Sequence, residues 1–222
     1  TLSANHAVEF GVNDATIEVA AAAGVLTLPS VRASSTGNLT KTGVGKLVLA
    51  GSTSWNPGFN AVTVNAGTLE ASFGTGGVAA INVGAAGTLQ LVNSTAEVLT
   101  LGNATGALTL ADGATLGFEL GTGGLTGDSD KIIVGAGGTA VTAGTVTINL
   151  LTLAGFGSGS FELISAPSGL MDATYSLGTV NISGYNFTLN RTDSLVSLDV
   201  LAFTPRYWNN AQSTGSWATL AG

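Results

Sequence analysis

Side chains able to perform acid, base or nucleophilic chemistry are scarce in this 222-residue chain. It has one histidine, His6, and no cysteine, so a cysteine zinc site and thiol catalysis are both excluded. A Ser-His-Asp triad would have to use His6, and no Gly-x-Ser-x-Gly turn accompanies it. The residue types therefore predict a protein that is not an enzyme.

The carboxylates closest together in chemically useful spacing are Asp128 and Asp130, with Asp112 and Glu119 upstream. Paired carboxylates serve glycosidases and polysaccharide lyases, but lyase chemistry also needs a basic residue, and only Lys131 is close in sequence. We favour a polar turn in which the aspartates cap backbone amides. The functional alternative is a calcium ion held by Asp128, Asp130 and nearby carbonyl oxygens.

Four aromatic residues are candidates for binding or assembly. Trp55 lies on a Pro-Gly turn, where it either contacts a glycan or anchors its own loop. Tyr207, Trp208 and Trp217 lie in the final stretch of the sequence, where apolar aromatic side chains usually dock on something. We expect this segment to close the protein's own end or to fit the start of the next subunit.

The overall composition predicts a folded, β-rich protein. Only 9% of the residues are charged, 45% are hydrophobic, and 33 are glycine. Such a chain has ample apolar surface to bury and few polar side chains, so backbone ladders must satisfy its peptide groups.

The charge pattern argues against nucleic acid and anionic membranes as partners. The net charge is −7 and the pI is near 4.3. Both kinds of partner require clustered cations. The six basic residues are instead scattered: Arg32, Lys41, Lys46, Lys131, Arg191 and Arg206. The longest uncharged stretch, 132–161, is broken by glycines and does not read as a membrane-spanning helix.

Short runs with period-two alternation dominate the chain and predict strands. The Ala-rich run 19–25 is the one helix candidate. The predicted strands cover 46–50, 61–64, 88–92, 107–110, 115–120, 131–134, 144–150, 160–164, 186–190 and 195–200.

A recurring phrase predicts stacked units. The phrase consists of a valine or leucine strand, a small-residue turn with glycine, and then Thr-Leu or Thr-Val. Its threonine falls at Thr68, Thr88, Thr115 and Thr145, so successive copies are 20, 27 and 30 residues apart. Repeats in this range are typical of solenoids, because one coil cannot bury its apolar face alone. We expect solenoid coils over 1–156 and closing, sandwich-like strands over 157–204; an antiparallel sandwich or jelly roll is the alternative.

The stretch 37–72 resembles the autotransporter-associated β-strand repeat. Residues 37–51 read Gly-Asn-Leu-Thr-Lys-Thr-Gly-Val-Gly-Lys-Leu-Val-Leu-Ala-Gly, and residues 64–69 read Val-Asn-Ala-Gly-Thr-Leu. The connecting turn, 52–60, departs from the family's pattern. Segments 127–134, 161–164 and 185–200 resemble the strands that follow such repeats, and 205–222 resembles the opening of another unit. The resemblance implies a right-handed parallel β-helix in a passenger-like bacterial surface protein.

Together these features predict a non-enzymatic extracellular or cell-surface structural protein that needs no cofactor, calcium excepted. It would be a subunit or repeat unit of a surface fibre, sheath or matrix that associates with itself. The alternatives are an adhesin module that presents Trp55 to a host or glycan surface and, more remotely, a polysaccharide-active enzyme. The start, Thr-Leu-Ser-Ala, predicts a processed product, a fragment or one unit of a longer array.

Overall fold

A computed structural model describes residues 8–10, 13–28, 31–33, 37–49, 59–71, 78–123 and 128–203. Within these ranges the chain forms eighteen β-strands and no helix. In chain order the strands are β1 Val8–Phe10, β2 Ala15–Glu18, β3 Val25–Leu28, β4 Val31–Ala33, β5 Asn38–Thr42, β6 Lys46–Leu49, β7 Ala61–Ala71, β8 Ala80–Gln90, β9 Val98–Leu101, β10 Leu108–Leu110, β11 Thr115–Leu120, β12 Lys131–Val134, β13 Ala140–Thr142, β14 Gly144–Thr152, β15 Gly159–Ser165, β16 Ala173–Val180, β17 Tyr185–Arg191 and β18 Leu195–Ala202.

Parallel pairing joins most of these strands into long ladders. One ladder runs β3-β6-β7-β8-β11-β14-β16, and a second runs β2-β5-β7-β8-β10-β13. The long strands β7 and β8 belong to both. A third ladder joins β9, β12 and β15, and β1 pairs with β4. The prediction of an all-β protein is confirmed, and its main sheet is parallel.

The strand register aligns the repeat that the sequence predicted, except at its last copy. Thr68 lies opposite Thr88, and Thr88 lies opposite Thr115. Thr115, however, lies opposite Thr147, so the assignment of Thr145 to the column is wrong by two residues. Thr145 is the second residue of β14, where its amide donates a hydrogen bond to Asp112 Oδ1 at 2.8 Å.

Alternate residues of the ladders form one continuous apolar core. The inner column of the first ladder contains Leu47, Leu69, Leu89, Leu116 and Ile148, all at most 1% exposed. Side chains two residues apart point the same way in a strand, so an in-register ladder stacks apolar residues directly upon one another. The burial alternation of β5, β6 and β8 follows this rule.

An antiparallel hairpin ends the third ladder. Strand β18 pairs antiparallel with β15, and β17 pairs antiparallel with β18. The turn between them bonds to the segment before β16: Ala166 N donates to Ser194 O and Leu170 N to Asp193 O, both at 3.0 Å. The region predicted to hold closing strands therefore contains this hairpin, while β15 and β16 still continue the parallel ladders.

The helix predicted at 19–25 is wrong. The chain turns there and enters β3 at Val25. Gly24 N donates to Ala21 O at 2.8 Å, and Val19 N donates to Thr42 O at 3.0 Å. A run this short cannot repay the cost of nucleating a helix, so its alanines serve as small corner residues.

Candidate functional site

Asp130 is fully buried immediately before β12, and backbone amides bind its side chain. Its Oδ1 accepts a hydrogen bond from Glu97 N at 2.8 Å, and its Oδ2 accepts one from Glu119 N at 2.7 Å. Backbone hydrogen bonds connect the same residues: Asp130 N donates to Glu119 O, and Lys131 N donates to Glu97 O, both at 2.9 Å. The side chain thus joins the entry to β9, the end of β11 and the start of β12.

The side chain of Glu119, whose own amide binds Asp130, also accepts backbone amide hydrogen bonds. It is 4% exposed, and its Oε2 accepts hydrogen bonds from Asn93 N at 2.8 Å and Ser94 N at 2.6 Å. Because the loop after β8 has few strand partners for its amides, the carboxylate replaces the missing acceptor. Asp130 and Glu119, with Glu97 beside them, form what we term the carboxylate corner.

Burial raises the pKa of Asp130 to about 8, because the charged form loses its hydration. The two amides of Glu119 and Glu97 oppose this rise, while the negative charges of the same residues add to it. Lys131, the nearest cation in sequence, lies 3.7 Å from Glu162 instead. In the carboxylate corner, backbone amides therefore bind the side chains of Asp130 and Glu119.

Asp128 occupies a different environment from Asp130. It is half-buried and lines an open groove of about 350 Å³ together with Ser94, Thr95 and Thr122, among others. Its carbonyl oxygen lies so close to Gly121 that a β-carbon there would sit at 1.9 Å from it. The two aspartates predicted as calcium ligands thus have different roles: one lines a groove, and the other caps amides in the interior.

Within the described ranges, no three His, Cys, Asp or Glu side chains are grouped so that they could hold a metal ion. The calcium site therefore stays a prediction. Both oxygens of Asp130 already accept amide hydrogen bonds, as in the capping interpretation that the sequence favoured.

Lys41 is a buried cation that sequence reasoning counted only as one scattered charge. It is 0% exposed, and its Nζ donates to the carbonyl oxygens of Thr42 at 2.8 Å, Gly43 at 2.7 Å and Ala66 at 3.0 Å. Burial lowers the pKa of its ammonium group. The sequence signal for its burial is its position: Lys41 is two residues after the core residue Leu39 and two residues before the turn glycine Gly43.

Two stacked glycines create the carbonyl cage around Lys41. Gly43 and Gly67 have φ values of +72° and +67°, a region that disfavours other residues. A β-carbon on Gly67 would lie 2.4 Å from the carbonyl oxygen of Gly45 and 2.5 Å from that of Gly43. Only glycine allows consecutive turns to stack this closely. Outside the cage, Lys46 pairs with Glu70.

Strands β2 and β3 are the first strands of the two long ladders. Among the described residues, β2 pairs only with β5 and β3 only with β6. Successive residues of a strand direct their N–H and C=O groups to opposite edges. Since Val19 N bonds to Thr42 O, the backbone groups of Thr16 and Glu18 face outward.

The same reasoning applies to β3. Lys46 N donates to Gly24 O at 2.8 Å, which places the N–H and C=O groups of Leu26 toward β6. The backbone groups of Val25 and Thr27 therefore face outward. We call the outward side of β2 and β3 the opening edge.

The β17–β18 hairpin lies at the opposite end, where β17 contacts β16. Phe156 contacts Tyr185 edge to face, with ring centroids 4.9 Å apart. Tyr185, Phe187 and Leu189 pack, partly buried, against the core. A cavity of about 150 Å³ remains between β16 and β17, lined by Thr174, Tyr175, Leu189, Asn190 and Arg191.

Several predicted site residues lie outside the described residues: Trp55, Tyr207, Trp208 and Trp217, and also His6. Their roles in binding or assembly stay predictions. No family model and no curated protein matches the chain. In the part of the chain that the structure describes, no helix is long and apolar enough to span a membrane.

Proposed function

We propose that the parallel ladders are the faces of a right-handed β-solenoid, and that the protein is a non-enzymatic structural component of a bacterial surface. It acts as a subunit or repeat unit of a fibre, sheath or matrix and associates through end-to-end β contacts. The parallel pairing of strands far apart in sequence supports the solenoid, and the resemblance over 37–72 supports the surface location.

One observation carries the proposal. In the core column of the first ladder the inner members are fully buried, whereas the two end members, Leu26 and Leu177, are only partly buried. A stack with unfinished ends gains free energy when another surface covers them, and exposed strand edges favour such contacts.

The polar groups of the interior support a structural role over an enzymatic one. Lys41, Glu119 and Asp130 are each held by backbone groups, and this is the role that their hydrogen bonds explain. Catalytic groups need access to substrate, and Asp130 is 0% exposed.

The adhesin alternative depends on Trp55 and stays a prediction. A glycan array tests it directly: binding by the unmodified protein that Trp55→Ala abolishes would favour the adhesin over the structural protein.

Electron microscopy of the purified protein at increasing concentration tests the structural proposal. We expect ordered assemblies whose formation Val25→Lys suppresses, because Val25 lies on the opening edge and is 62% exposed. Val44→Lys is the matched control, since Val44 is 60% exposed but lies in a lateral turn. Particles that stay single at every concentration would contradict the proposal.

A further inference from the structure

The groove beside Asp128 crosses consecutive layers of the strand stack. Its other lining residues come from the segments that follow β8, β11 and β14, which pair in that order: Ser94, Thr95, Ala96, Thr122, Leu153 and Ala154. Paired strands lie about 4.8 Å apart, so the groove extends about 10 Å along the stack. Its volume of about 350 Å³ lies within the range of small-molecule sites, about 300–1,000 Å³. The groove is therefore large enough for one short ligand.

Ser94 has a strained backbone conformation at one wall of the groove. Its φ is +70°, and among the described residues it is the only residue other than glycine with a positive φ. Such a conformation persists only where the surroundings enforce it. Here Glu119 does so, because its Oε2 accepts hydrogen bonds from Asn93 N at 2.8 Å and Ser94 N at 2.6 Å. Strain of this kind is concentrated at functional sites, which makes this wall a candidate for ligand contact.

Buried hydrogen bonds also fix the segments around the groove. Asp130 Oδ1 accepts a hydrogen bond from Glu97 N at 2.8 Å, directly after the lining residues that follow β8. Gly121 N donates to Ser129 Oγ at 2.8 Å, one residue before Thr122 and one residue after Asp128. The polar part of the groove is thus preorganised, which lowers the entropic cost of binding.

The polar side chains that line the groove accept hydrogen bonds, and none of the described residues that line it is a cation. Asp128 is half-buried, and among the described residues its carboxylate makes no hydrogen bond or ion pair. Ser94, Thr95 and Thr122 contribute hydroxyl groups. Such a site, in a chain with a net charge of −7, attracts cations and repels anions.

An ammonium group fits these acceptors better than a metal ion. It has three N–H donors, which match one carboxylate and neighbouring hydroxyl groups. A calcium ion takes about six to eight oxygen ligands, and within the described ranges no three His, Cys, Asp or Glu side chains are grouped to hold a metal. Leu153 and Ala154 add an aliphatic surface on which a carbon chain gains free energy by burial.

We propose that this groove binds a small alkylammonium ligand, whose charged head contacts Asp128 and whose carbon chain packs on Leu153. The hydroxyl groups of Ser94 and Thr122 accept the remaining N–H groups of the head. Self-association of the subunits does not depend on this site.

Probes that share one carbon chain separate the contribution of charge from that of apolar contact: pentylamine, pentanol and pentanoate. We expect pentylamine to cause saturable NMR shift changes in the amides of Ser94, Thr95 and Thr122 of the unmodified protein. Pentanol should bind at least about tenfold more weakly, because it lacks the charge-assisted hydrogen bond, and pentanoate should not bind. The pentylamine shifts should shrink as salt is added, since salt screens the attraction.

Asp128→Asn removes the charge and keeps the shape of the side chain. We expect the dissociation constant of pentylamine to rise about tenfold or more, while thermal unfolding confirms that the fold persists. Asp172→Asn is the matched control, because Asp172 is exposed, lies outside the groove and makes no side-chain hydrogen bond or ion pair among the described residues. It should leave the dissociation constant unchanged.

A loss of pentylamine binding in Asp128→Asn alone would support the site. Equal binding of pentylamine and pentanol would overturn it, because the contact would then be apolar only. Equal losses in both variants would overturn it as a general attraction of an acidic chain for cations. Calcium chloride that shifts the same amides where pentylamine does not would overturn it in favour of a metal site. None of these results bears on assembly, which electron microscopy tests separately.

Discussion

Lys41 shows how backbone carbonyl groups can hold a buried cation. Its ammonium group satisfies carbonyl oxygens of Thr42, Gly43 and Ala66, which belong to two successive turns. A buried charge is tolerated when hydrogen bonds surround it, and here the carbonyl dipoles provide them.

Substitution of this cation should be costly. We expect Lys41→Met to lower the free energy of unfolding by about 3 kcal/mol, because three carbonyl oxygens lose a charged donor. Lys46→Met is the matched control: its pair with Glu70 is partly exposed, so the loss should stay under about 1 kcal/mol. Denaturant unfolding measures both, and equal losses would contradict the buried role.

Asp130 makes stability depend on pH. Its pKa of about 8 in the folded protein exceeds the ordinary value of 3.8, so the folded protein holds a proton that the unfolded chain has released. Its contribution is complete below about pH 4 and is lost as the pH rises through about 8. We expect the free energy of unfolding to fall between pH 5 and pH 8.

The variant Asp130→Asn isolates this effect, since an amide does not titrate. It should be less stable overall, because an amide nitrogen cannot accept the second backbone hydrogen bond. Its unfolding free energy should nevertheless change less between pH 5 and pH 8 than that of the unmodified protein. If the unfolding free energy of the two proteins changed equally with pH, another group would be responsible for the pH dependence.

At the scale of elements, glycine turns govern how closely consecutive strands stack. Gly67 combines a positive φ with contact against the turn of Gly43 and Gly45, whereas Gly137 has φ +93° and no atom within 4 Å of its β-carbon position. Both substitutions to alanine incur backbone strain, and only one also incurs a clash.

This difference predicts unequal costs. We expect Gly137→Ala to destabilise the protein by about 1–2 kcal/mol from backbone strain alone. Gly67→Ala should cost at least about 2 kcal/mol more, since the neighbouring turn must move. Thermal unfolding of the pair measures the difference, and similar melting temperatures would contradict the stacking argument.

The strands predicted from sequence all overlap strands of the structure, and β11 and β12 match the predicted bounds. Several others were not predicted, among them β9, β13 and β16. Strand β13 has only three residues, and the sequence of β16 contains Gly178. Such segments become strands because their neighbours in the ladder pair with them, which a local pattern does not reveal.

At the scale of the whole molecule, burial increases from the opening edge inward. Leu26, Leu47, Leu69 and Leu89 follow one column, and only Leu26 is partly exposed. The same substitution should therefore have different effects along the column.

We expect Leu89→Ala to lower the free energy of unfolding by about 3–4 kcal/mol, because it leaves a cavity between packed strands. Leu26→Ala should cost at most about half as much in the monomer, where solvent or neighbouring chain can fill the space. Denaturant unfolding at low protein concentration distinguishes them. A larger loss at Leu26 would mean that this end is packed as tightly as the middle.

Some features of the candidate site were predictable from the sequence, and others were not. Sequence spacing alone predicted that Asp128 and Asp130 cap backbone amides, and both side-chain oxygens of Asp130 do accept amide hydrogen bonds. Sequence spacing could not show that Lys41 and Glu119 are buried with backbone partners from other segments of the chain. Those partners, such as Ala66 for Lys41, lie far along the chain.

The sequence by itself determined that the protein is all-β and repetitive, because period-two alternation and glycine corners are local properties of the chain. It also determined most of the threonine column from Thr68 to Thr115. Only the tertiary structure decided the register at Thr147, the antiparallel β17–β18 hairpin and the position of β3 as the first strand of its ladder among the described residues. These depend on which strands meet, and that choice depends on packing between residues remote in sequence.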